Sequence, residues 1–389
     1  MWRLFLLLVA LITTVSAQVQ TKLGALRHGA VFELSIIFGE RVDVASLVDR
    51  ESYSVTIGEL IAARLTATNY GAILSITNVQ ENMQGLLNIS GVKDERGTNL
   101  PLTSLTFDTG SLFWTTNGGN ELRFGAEVTS IGTNGFDIFS GGIQQRDDYD
   151  ESTFVGEAVT GDFERRVRVS HVDAAGWGAK AGIMAREFLD EGRRRPLNPF
   201  DPQQSLSRYV ELSVAAPASA VGEPGHNQHQ IWMRERGMGV ITRSLAVTND
   251  AAPTFPDVWL QMKRRGQVFE MSRSIDGIAW EDVGSARFPE TMPATIYAGL
   301  AFSPQNDDLS PLSGARKRFV AKFREFARVN ESHSIAINDL GEFAELTWEG
   351  FWFLETAPTV TGEWTDAPSQ ENPQRVEFTE PARFFRLRR

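Results

Sequence analysis

Short runs in which apolar and polar residues alternate recur along most of the chain. In residues 31–38, for example, Phe32, Leu34 and Ile36 alternate with polar side chains. This period of two is typical of a β-strand with one buried face and one exposed face. Glycines, prolines and Asn-Gly pairs separate the runs, as turns between short strands require. The pattern therefore predicts an all-β fold.

Length and composition favour several packed domains. The chain has 389 residues, of which 42% are apolar, and this predicts two or three β-domains. Cysteine is absent from the sequence, which excludes disulfides, thiolate zinc sites and a cysteine nucleophile. The formal net charge of −11 argues against general nucleic-acid binding and favours solubility.

Residues 1–17 have the features of a secretory signal peptide. Arg3 supplies the positive start, residues 4–12 form an unbroken apolar run, and Val-Ser-Ala at 15–17 suits cleavage. The run is too short to span a bilayer and no later stretch is long enough, so we expect no transmembrane segment. We expect the exported protein to begin at Gln18 and to act in the periplasm, at the cell surface or in the medium.

Residues 18–108 are predicted to form an Ig-like β-sandwich. The strand at 31–38 leads into an F-x-x-x-V-D-x-x-S turn, a Y-x-V strand follows at 53–55, and the segment closes on V-x-D-x-x-G at 92–97. These residues resemble the bacterial Ig-like domain of surface-layer and other secreted proteins. The family pattern closes on V-x-D-x-x-G-N, and here Thr98 separates the glycine from the asparagine. The resemblance implies a structural spacer.

Residues 109–329 carry four motifs in a fixed order. They are Gly161-Asp162-Phe163 with Val167-Arg168-Val169, then Ala179-Lys180-Ala181-Gly182-Ile183-Met184-Ala185-Arg186, then Trp259-Leu260-Gln261-Met262-Lys263-Arg264-Arg265-Gly266 with Ser274, Asp276, Gly277 and Trp280, then Tyr297-Ala298-Gly299-Leu300-Ala301. Together they resemble a secreted β-sandwich family of the concanavalin-like type, which implies a larger jelly-roll sandwich. The wider superfamily contains lectins, glycanases and members of no known activity, so this fold leaves the function open.

Residues 330–389 are predicted to form a small C-terminal β-domain. The patterns L-x-W, L-E-x-A, G-x-W and F-F-R-L-R occur in this order at 346–348, 354–357, 362–364 and 384–388. They resemble a small C-terminal β-module of bacterial secreted proteins. That resemblance implies no particular function.

Two groups of residues are candidate metal ligands. His226 and His229 form a His-x-x-His pair in a polar stretch, but a third ligand is not evident, so we expect solvated loop histidines rather than zinc ligands. An acidic run offers the hard oxygens that calcium prefers, in a spacing unlike that of an EF-hand; it consists of Asp147, Asp148, Asp150 and Glu151. We expect no resident cofactor, with calcium at the acidic run as the alternative.

A glycanase would need two carboxylates placed across a cleft. The candidates on or beside predicted strands are Glu164, Glu187, Glu211 and Glu270. No two of them stand at i and i+2 in one strand, the spacing that directs both side chains to one face. We therefore expect no catalytic residues, and a glycan-active hydrolase remains an alternative.

Cations alternate with apolar residues in three predicted strands of the large unit, at 165–172, 177–186 and 258–265. Ile183 and Leu260 lie on the apolar faces and are expected in the core. If the strands share one sheet, its outer face is basic and aromatic. We predict a ligand site there, formed by Arg166, Arg168, Lys180, Arg186, Trp259 and Lys263. The alternative is an ordinary solvated face whose cations pair with carboxylates.

An extended anionic glycan suits that set of residues. Sugars stack on tryptophan rings, and guanidinium groups bind carboxylate or sulfate. We therefore predict an exported, non-catalytic binding protein whose partner is an extracellular polysaccharide or a surface protein. A structural or adhesive protein of the cell envelope, without a glycan site, is the second hypothesis.

Overall fold

A computed structural model of the protein describes residues 21–39, 41–68, 71–117, 126–141, 152–173, 179–189, 207–215, 227–235, 240–247, 256–304, 319–329, 335–341, 343–348, 353–369, 373–377 and 383–388. Within these ranges the chain forms 27 β-strands, one five-residue α-helix and one turn of 3₁₀ helix. The all-β class predicted from the alternation is therefore confirmed. The described helices are too short to cross a membrane. The predicted signal peptide lies outside the described residues.

The first unit contains seven strands. They are β1 (Lys22–His28), β2 (Val31–Ile37), β3 (Tyr53–Val55), β4 (Glu59–Leu65), β5 (Gly71–Thr77), β6 (Gln84–Ile89) and β7 (Thr103–Asp108), with α1 (Val44–Val48) and the 3₁₀ turn (Arg50–Ser52) between β2 and β3. Strands β3, β6 and β7 form a small sheet of their own. The Ig-like character of this unit stays a prediction.

The large unit contains fourteen strands, and the last unit contains six. Those of the large unit are β8 (Phe113–Asn117), β9 (Glu127–Ile131), β10 (Gly135–Ser140), β11 (Ser152–Thr160), β12 (Phe163–Val172), β13 (Lys180–Arg186), β14 (Tyr209–Ala215), β15 (Asn227–Arg234), β16 (Val240–Val247), β17 (Val258–Arg265), β18 (Val268–Ser274), β19 (Glu281–Arg287), β20 (Thr295–Ser303) and β21 (Phe319–Arg328). Those of the last unit are β22 (Ile335–Asp339), β23 (Phe343–Trp348), β24 (Phe353–Ala357), β25 (Thr365–Asp366), β26 (Gln374–Glu377) and β27 (Phe384–Arg388).

The large unit is a sandwich of two sheets. The smaller sheet has the strand order β19-β18-β17-β12-β21-β10-β9, and the larger has the order β16-β15-β14-β13-β20-β11-β8-β1-β2-β5-β4. Neighbouring strands within the large unit pair in antiparallel fashion, which agrees with the sandwich that the concanavalin-like resemblance implies. The larger sheet continues into the first unit through one parallel pairing, between Arg27 of β1 and Phe113 of β8.

Buried apolar side chains form one cluster in the first unit, one in the last unit and two in the large unit, the smaller of which consists of Phe154, Met184, Tyr209, Trp232 and Ala301. The larger cluster of the large unit draws on both sheets and includes Ile183, Leu260 and Phe323. The predicted burial of Ile183 and Leu260 is confirmed, since neither is exposed to solvent. The first unit packs around Leu34 and Leu74, and the last unit has a small cluster around β23 and β24. The predicted domain boundaries stay predictions.

Candidate functional site

The six predicted site residues do not share one surface. Arg166 and Arg168 lie on β12, and Trp259 and Lys263 lie on its neighbour β17, all in the smaller sheet. The other two residues, Lys180 and Arg186, lie on β13 in the larger sheet. The expectation that all six converge on one sheet is therefore wrong. The role of each residue in ligand binding stays a prediction.

Two cations of the smaller sheet already have carboxylate partners. Arg168 donates two hydrogen bonds of 2.8 Å to Asp257, and this contact raises the pKa of its guanidinium. Lys263 lies 3.8 Å from the buried carboxylate of Glu164, and Arg265 lies 3.6 Å from the same group. The two carboxylates offset part of the positive charge of the face, which also includes Arg166. The outer surface of β12 and β17 thus resembles an ordinary charged sheet face, which was the alternative to a ligand site.

One part of the Trp259 ring is already covered by a neighbouring turn. Gly277, whose φ of +74° suits glycine, lies so close that an added Cβ would be 2.8 Å from the indole Cε2. Asp276 fixes the turn by accepting hydrogen bonds from the backbone N–H groups of Ile278 and Ala279. The turn therefore packs against one part of the indole, and Trp259 is partly buried. It is a poorer stacking platform than the sequence predicted.

The larger sheet carries charged side chains on the surface that faces away from the sandwich core. Ile183, Leu212 and Ile231 form one cross-strand row in the core, so the residues between them point the other way. We call this opposite surface of β13, β14, β15 and β20 the polar face. Its polar and charged residues are Lys180, Arg186, Tyr209, Glu211, Ser213, Gln230, Trp232, Arg234 and Ser303, and Met184 and Ala301 on the same side pack against Tyr209 and Trp232.

Every side chain of the polar face is buried. Both faces of β13 and β14 are buried along their whole lengths, whereas the outer side of an antiparallel sheet commonly faces water. Glu211, Arg186 and Arg234 are not exposed at all. Removing such charges from water costs several kcal/mol for each ion before pairing, so we take this surface as the candidate functional site.

Cations lie against the aromatic rings of the polar face. The ammonium Nζ of Lys180 is 3.7 Å from the centre of the Trp232 ring, and the guanidinium of Arg234 is 4.7 Å from the centre of the Tyr209 ring. The Trp232 indole N–H donates a 2.7 Å hydrogen bond to Gln230. These contacts hold the long side chains in fixed positions over the sheet.

Two serines of the polar face have hydroxyls without a hydrogen-bond partner among the described residues. Ser213 of β14 pairs with Gly182, and Ser303 of β20 pairs with Lys180, so they flank β13 on its two sides. Both side chains are buried, and neither hydroxyl has a hydrogen-bond partner in the described part of the chain. Leaving a buried hydroxyl unsatisfied costs about 1–3 kcal/mol. A bound polar group would remove this cost.

Of the candidate metal ligands, His229 alone lies among the described residues. His229 is a strand residue of β15 and is buried, so its expected place in a solvated loop is wrong. Its Nδ1 lies 2.8 Å from Arg273, and burial together with this cation lowers its pKa to about 3. His226 and the acidic run at 147–151 lie outside the described residues. Within the described ranges, no group of three or more His, Asp or Glu side chains could hold a metal ion.

The four candidate carboxylates do not form a catalytic pair on the polar face. Glu164 and Glu270 lie in the smaller sheet, on either side of Lys263. Glu187 accepts hydrogen bonds of 2.8 and 3.0 Å from Arg208. Of the four, Glu211 alone belongs to the polar face, where it pairs in register with Met184 and Trp232. No two of these four carboxylates therefore share the polar face.

Sequence reasoning missed most of the polar face. The alternation in β14 was visible, because Val210, Leu212 and Val214 are apolar and the residues between them include Glu211 and Ser213. That signal would have placed Glu211 and Ser213 on one face. The association of β14 with β13 and β20 depends on long-range pairing, which periodicity alone does not predict.

Comparisons with known proteins give weak likenesses only. No family model matches the chain, and no curated protein matches it. A functionally unknown protein from Saccharomyces cerevisiae is 14% identical, with 56% of this chain and 96% of that chain covered and a TM-score of 0.37. The GH43 protein BlXynB from Bacillus licheniformis is 11% identical, with 81% and 55% covered and a TM-score of 0.33.

A lectin-like neighbour is similarly distant. The exoplasmic/lumenal domain of VIP36, bound to Ca²⁺ and Man3GlcNAc, is 8% identical, with 59% of this chain and 88% of that chain covered and a TM-score of 0.30. Likenesses at this level carry no argument about ligand or activity. The function must therefore be argued from the geometry of the polar face.

Proposed function

We propose that the chain is an exported, non-catalytic carbohydrate-binding protein and that the polar face of the large sandwich receives the sugar. The observation that carries the proposal is the pair of buried, unsatisfied hydroxyls of Ser213 and Ser303. A sugar hydroxyl donates and accepts hydrogen bonds, so sugar hydroxyls can satisfy the two serines. Export rests on the signal-peptide features of residues 1–17.

The surrounding side chains suit the same ligand. Gln230 offers an amide beside Ser213, because the two residues pair in register. Fixed polar groups around a small ligand set its orientation, and the aromatic side chains supply apolar contact. The presence of Glu211 alone among the four candidate carboxylates supports binding without hydrolysis.

A binding measurement on the full chain tests this function. We expect at least one sugar of a glycan panel to bind, and Ser213→Ala to weaken that binding about 2- to 10-fold, because one hydrogen bond to the ligand is lost. Ser285→Ala, on the exposed side of β19, is the matched control and should leave the affinity unchanged. Equal affinity in both variants, or no binding to any sugar, would reject the proposal.

A further inference from the structure

We infer that the large sandwich has a second ligand site, in a cavity beside the segment 288–294 that joins β19 to β20, and that this site binds a small organic acid with one ring. The site goes beyond the proposed function, since none of its residues belongs to the polar face. The segment is unusual because side chains from other parts of the sandwich bind its backbone carbonyl groups.

Five consecutive carbonyl groups, those of residues 290–294, accept these hydrogen bonds. Arg208 donates to the first two, at 3.0 and 3.1 Å, and Arg264 donates to the last two, at 2.7 and 3.1 Å. Gln267 donates to the carbonyl of Met292 at 3.2 Å and accepts from its N–H at 2.7 Å. Contacts at every residue hold the segment in one conformation, as a preformed ligand site requires.

Two motifs noted in the sequence contribute to these contacts. Asp162 of the Gly-Asp-Phe motif accepts a 2.7 Å hydrogen bond from the N–H of Gly266, in the turn between β17 and β18. Arg264, which belongs to the same motif as Gly266, donates to the carbonyl of that glycine at 2.9 Å and to the segment as well. The function proposed for the polar face uses none of these three residues.

The cavity beside the segment has a volume of about 230 Å³. It is lined by Gln267, Arg287, Phe288, Pro289 and Thr291. Phe288 and Pro289 form an apolar wall, and Phe288 is held in place because its ring meets that of Phe269 edge-on at 5.9 Å. Pockets that hold drug-sized ligands measure roughly 300–1,000 Å³, so this smaller cavity suits a ligand with a single ring.

The charges beside the cavity favour an anionic ligand. The exposed guanidinium of Arg287 has no hydrogen-bond or ion-pair partner in the described part of the chain. Arg264 is buried, and within the described ranges its guanidinium bonds carbonyl oxygens and forms no ion pair. Glu290 lies 3.9 Å from Arg208, which offsets part of its negative charge. A carboxylate at Arg287 would gain charge-assisted hydrogen bonds while the apolar wall contacts its ring.

Ligand-observed NMR titration of the full chain with benzoate and benzamide tests the inference. The two probes have the same ring and nearly the same shape, and at neutral pH only benzoate is charged. We expect benzoate to bind at least about ten-fold more tightly, because hydrogen bonds to a charged group are stronger. Equal binding of the two probes, or no binding of benzoate, would overturn the inference. The sugar panel tests the polar face separately, so either proposal can fail without the other.

Substitutions then locate the bound acid. Arg287→Gln should reduce the affinity for benzoate to that for benzamide, whereas Arg96→Gln, which changes an exposed arginine of the first unit, should leave it unchanged. Unchanged benzoate binding in Arg287→Gln would overturn the inference.

A further variant tests the held segment. Gln267→Leu removes both hydrogen bonds to Met292 and should weaken the binding of both probes by a similar factor, because the segment is no longer fixed. A thermal melt checks that the variant is folded. If the folded variant binds benzoate as tightly as the wild type, the ligand does not lie against the segment and the inference is overturned.

Discussion

The indole N–H of Trp114 donates a 2.9 Å hydrogen bond to the carboxylate of Glu33, and both side chains are buried. Trp114 lies on β8 of the large sandwich, and Glu33 lies on β2 of the first unit. Arg64 contacts Glu33 at 3.0 Å and also Glu127 of β9 at 2.8 Å. The first unit is therefore fixed to the sandwich by buried polar contacts as well as by the shared sheet.

The contact between Trp114 and Glu33 predicts a measurable loss of stability. Trp114→Phe keeps an aromatic ring but removes the N–H donor, which leaves one buried oxygen of Glu33 without this bond. We expect the free energy of unfolding to fall by about 1–3 kcal/mol in calorimetric melts. Trp280→Phe, outside this contact, is the control. Equal melting curves for the two variants would show that the bond contributes nothing.

The sequence predicted local features of the fold better than it predicted the site. Alternation identified the strands and placed Ile183 and Leu260 on their buried faces, because the period of two is visible within a few consecutive residues. It could not show that β12 and β13, although consecutive, belong to opposite sheets. Arg168 and Lys180 were therefore assigned to one surface. Sheet membership is decided by pairing between distant segments, which periodicity does not record.

The error at His229 has a similar physical cause. Residues 226–230 are polar, and polar stretches with Asn and His are common in loops. The structure places His229 in β15, where its side chain meets Arg273 of the facing sheet. Arg273 in turn pairs with Glu281 at 2.8 Å. A partner from another sheet allows a polar residue to occupy a buried strand position.

Truncation of the core should destabilise the large sandwich. Ile183→Ala and Leu260→Ala each leave a cavity between the two sheets, and we expect each to cost about 2–5 kcal/mol of unfolding free energy. Ile278→Ala is the matched control, because Ile278 is 83% exposed and its truncation should change stability by less than about 0.5 kcal/mol. Similar melting temperatures for all three variants would show that the assigned core is incorrect.

His229 should make stability depend on pH. Its pKa is lowered to about 3 in the folded protein, whereas an unfolded histidine titrates near 6.5. Below about pH 6.5 the unfolded chain therefore binds a proton that the folded protein does not. The contribution of neutral His229 to the unfolding free energy is complete above that pH and is lost as the pH falls toward 3.

The test compares unfolding free energies between about pH 7 and 5, before most carboxylates titrate. His229→Gln keeps a hydrogen-bonding group near Arg273 but cannot be protonated. The unfolding free energy of the variant should fall less steeply with decreasing pH than that of the wild type. The difference between the two slopes should reach up to about 1.4 kcal/mol per pH unit. Parallel curves for the variant and the wild type would contradict the buried, neutral state of His229.

Ser213→Ala should make the protein more stable while it weakens sugar binding. The substitution removes a buried hydroxyl that has no partner among the described residues, so its desolvation penalty of about 1–3 kcal/mol disappears. A rise in melting temperature without ligand would support this account. A loss of stability would indicate that the hydroxyl already makes a structural hydrogen bond. Opposite effects on stability and binding are common where a residue serves function.

The most direct test of the central claim is a crystal structure of the full chain soaked with the tightest-binding sugar. The account predicts density for the sugar on the polar face, within hydrogen-bonding distance of Ser213 and Ser303. A sugar found on the outer surface of β12 and β17, beside Arg168 and Trp259, would contradict it.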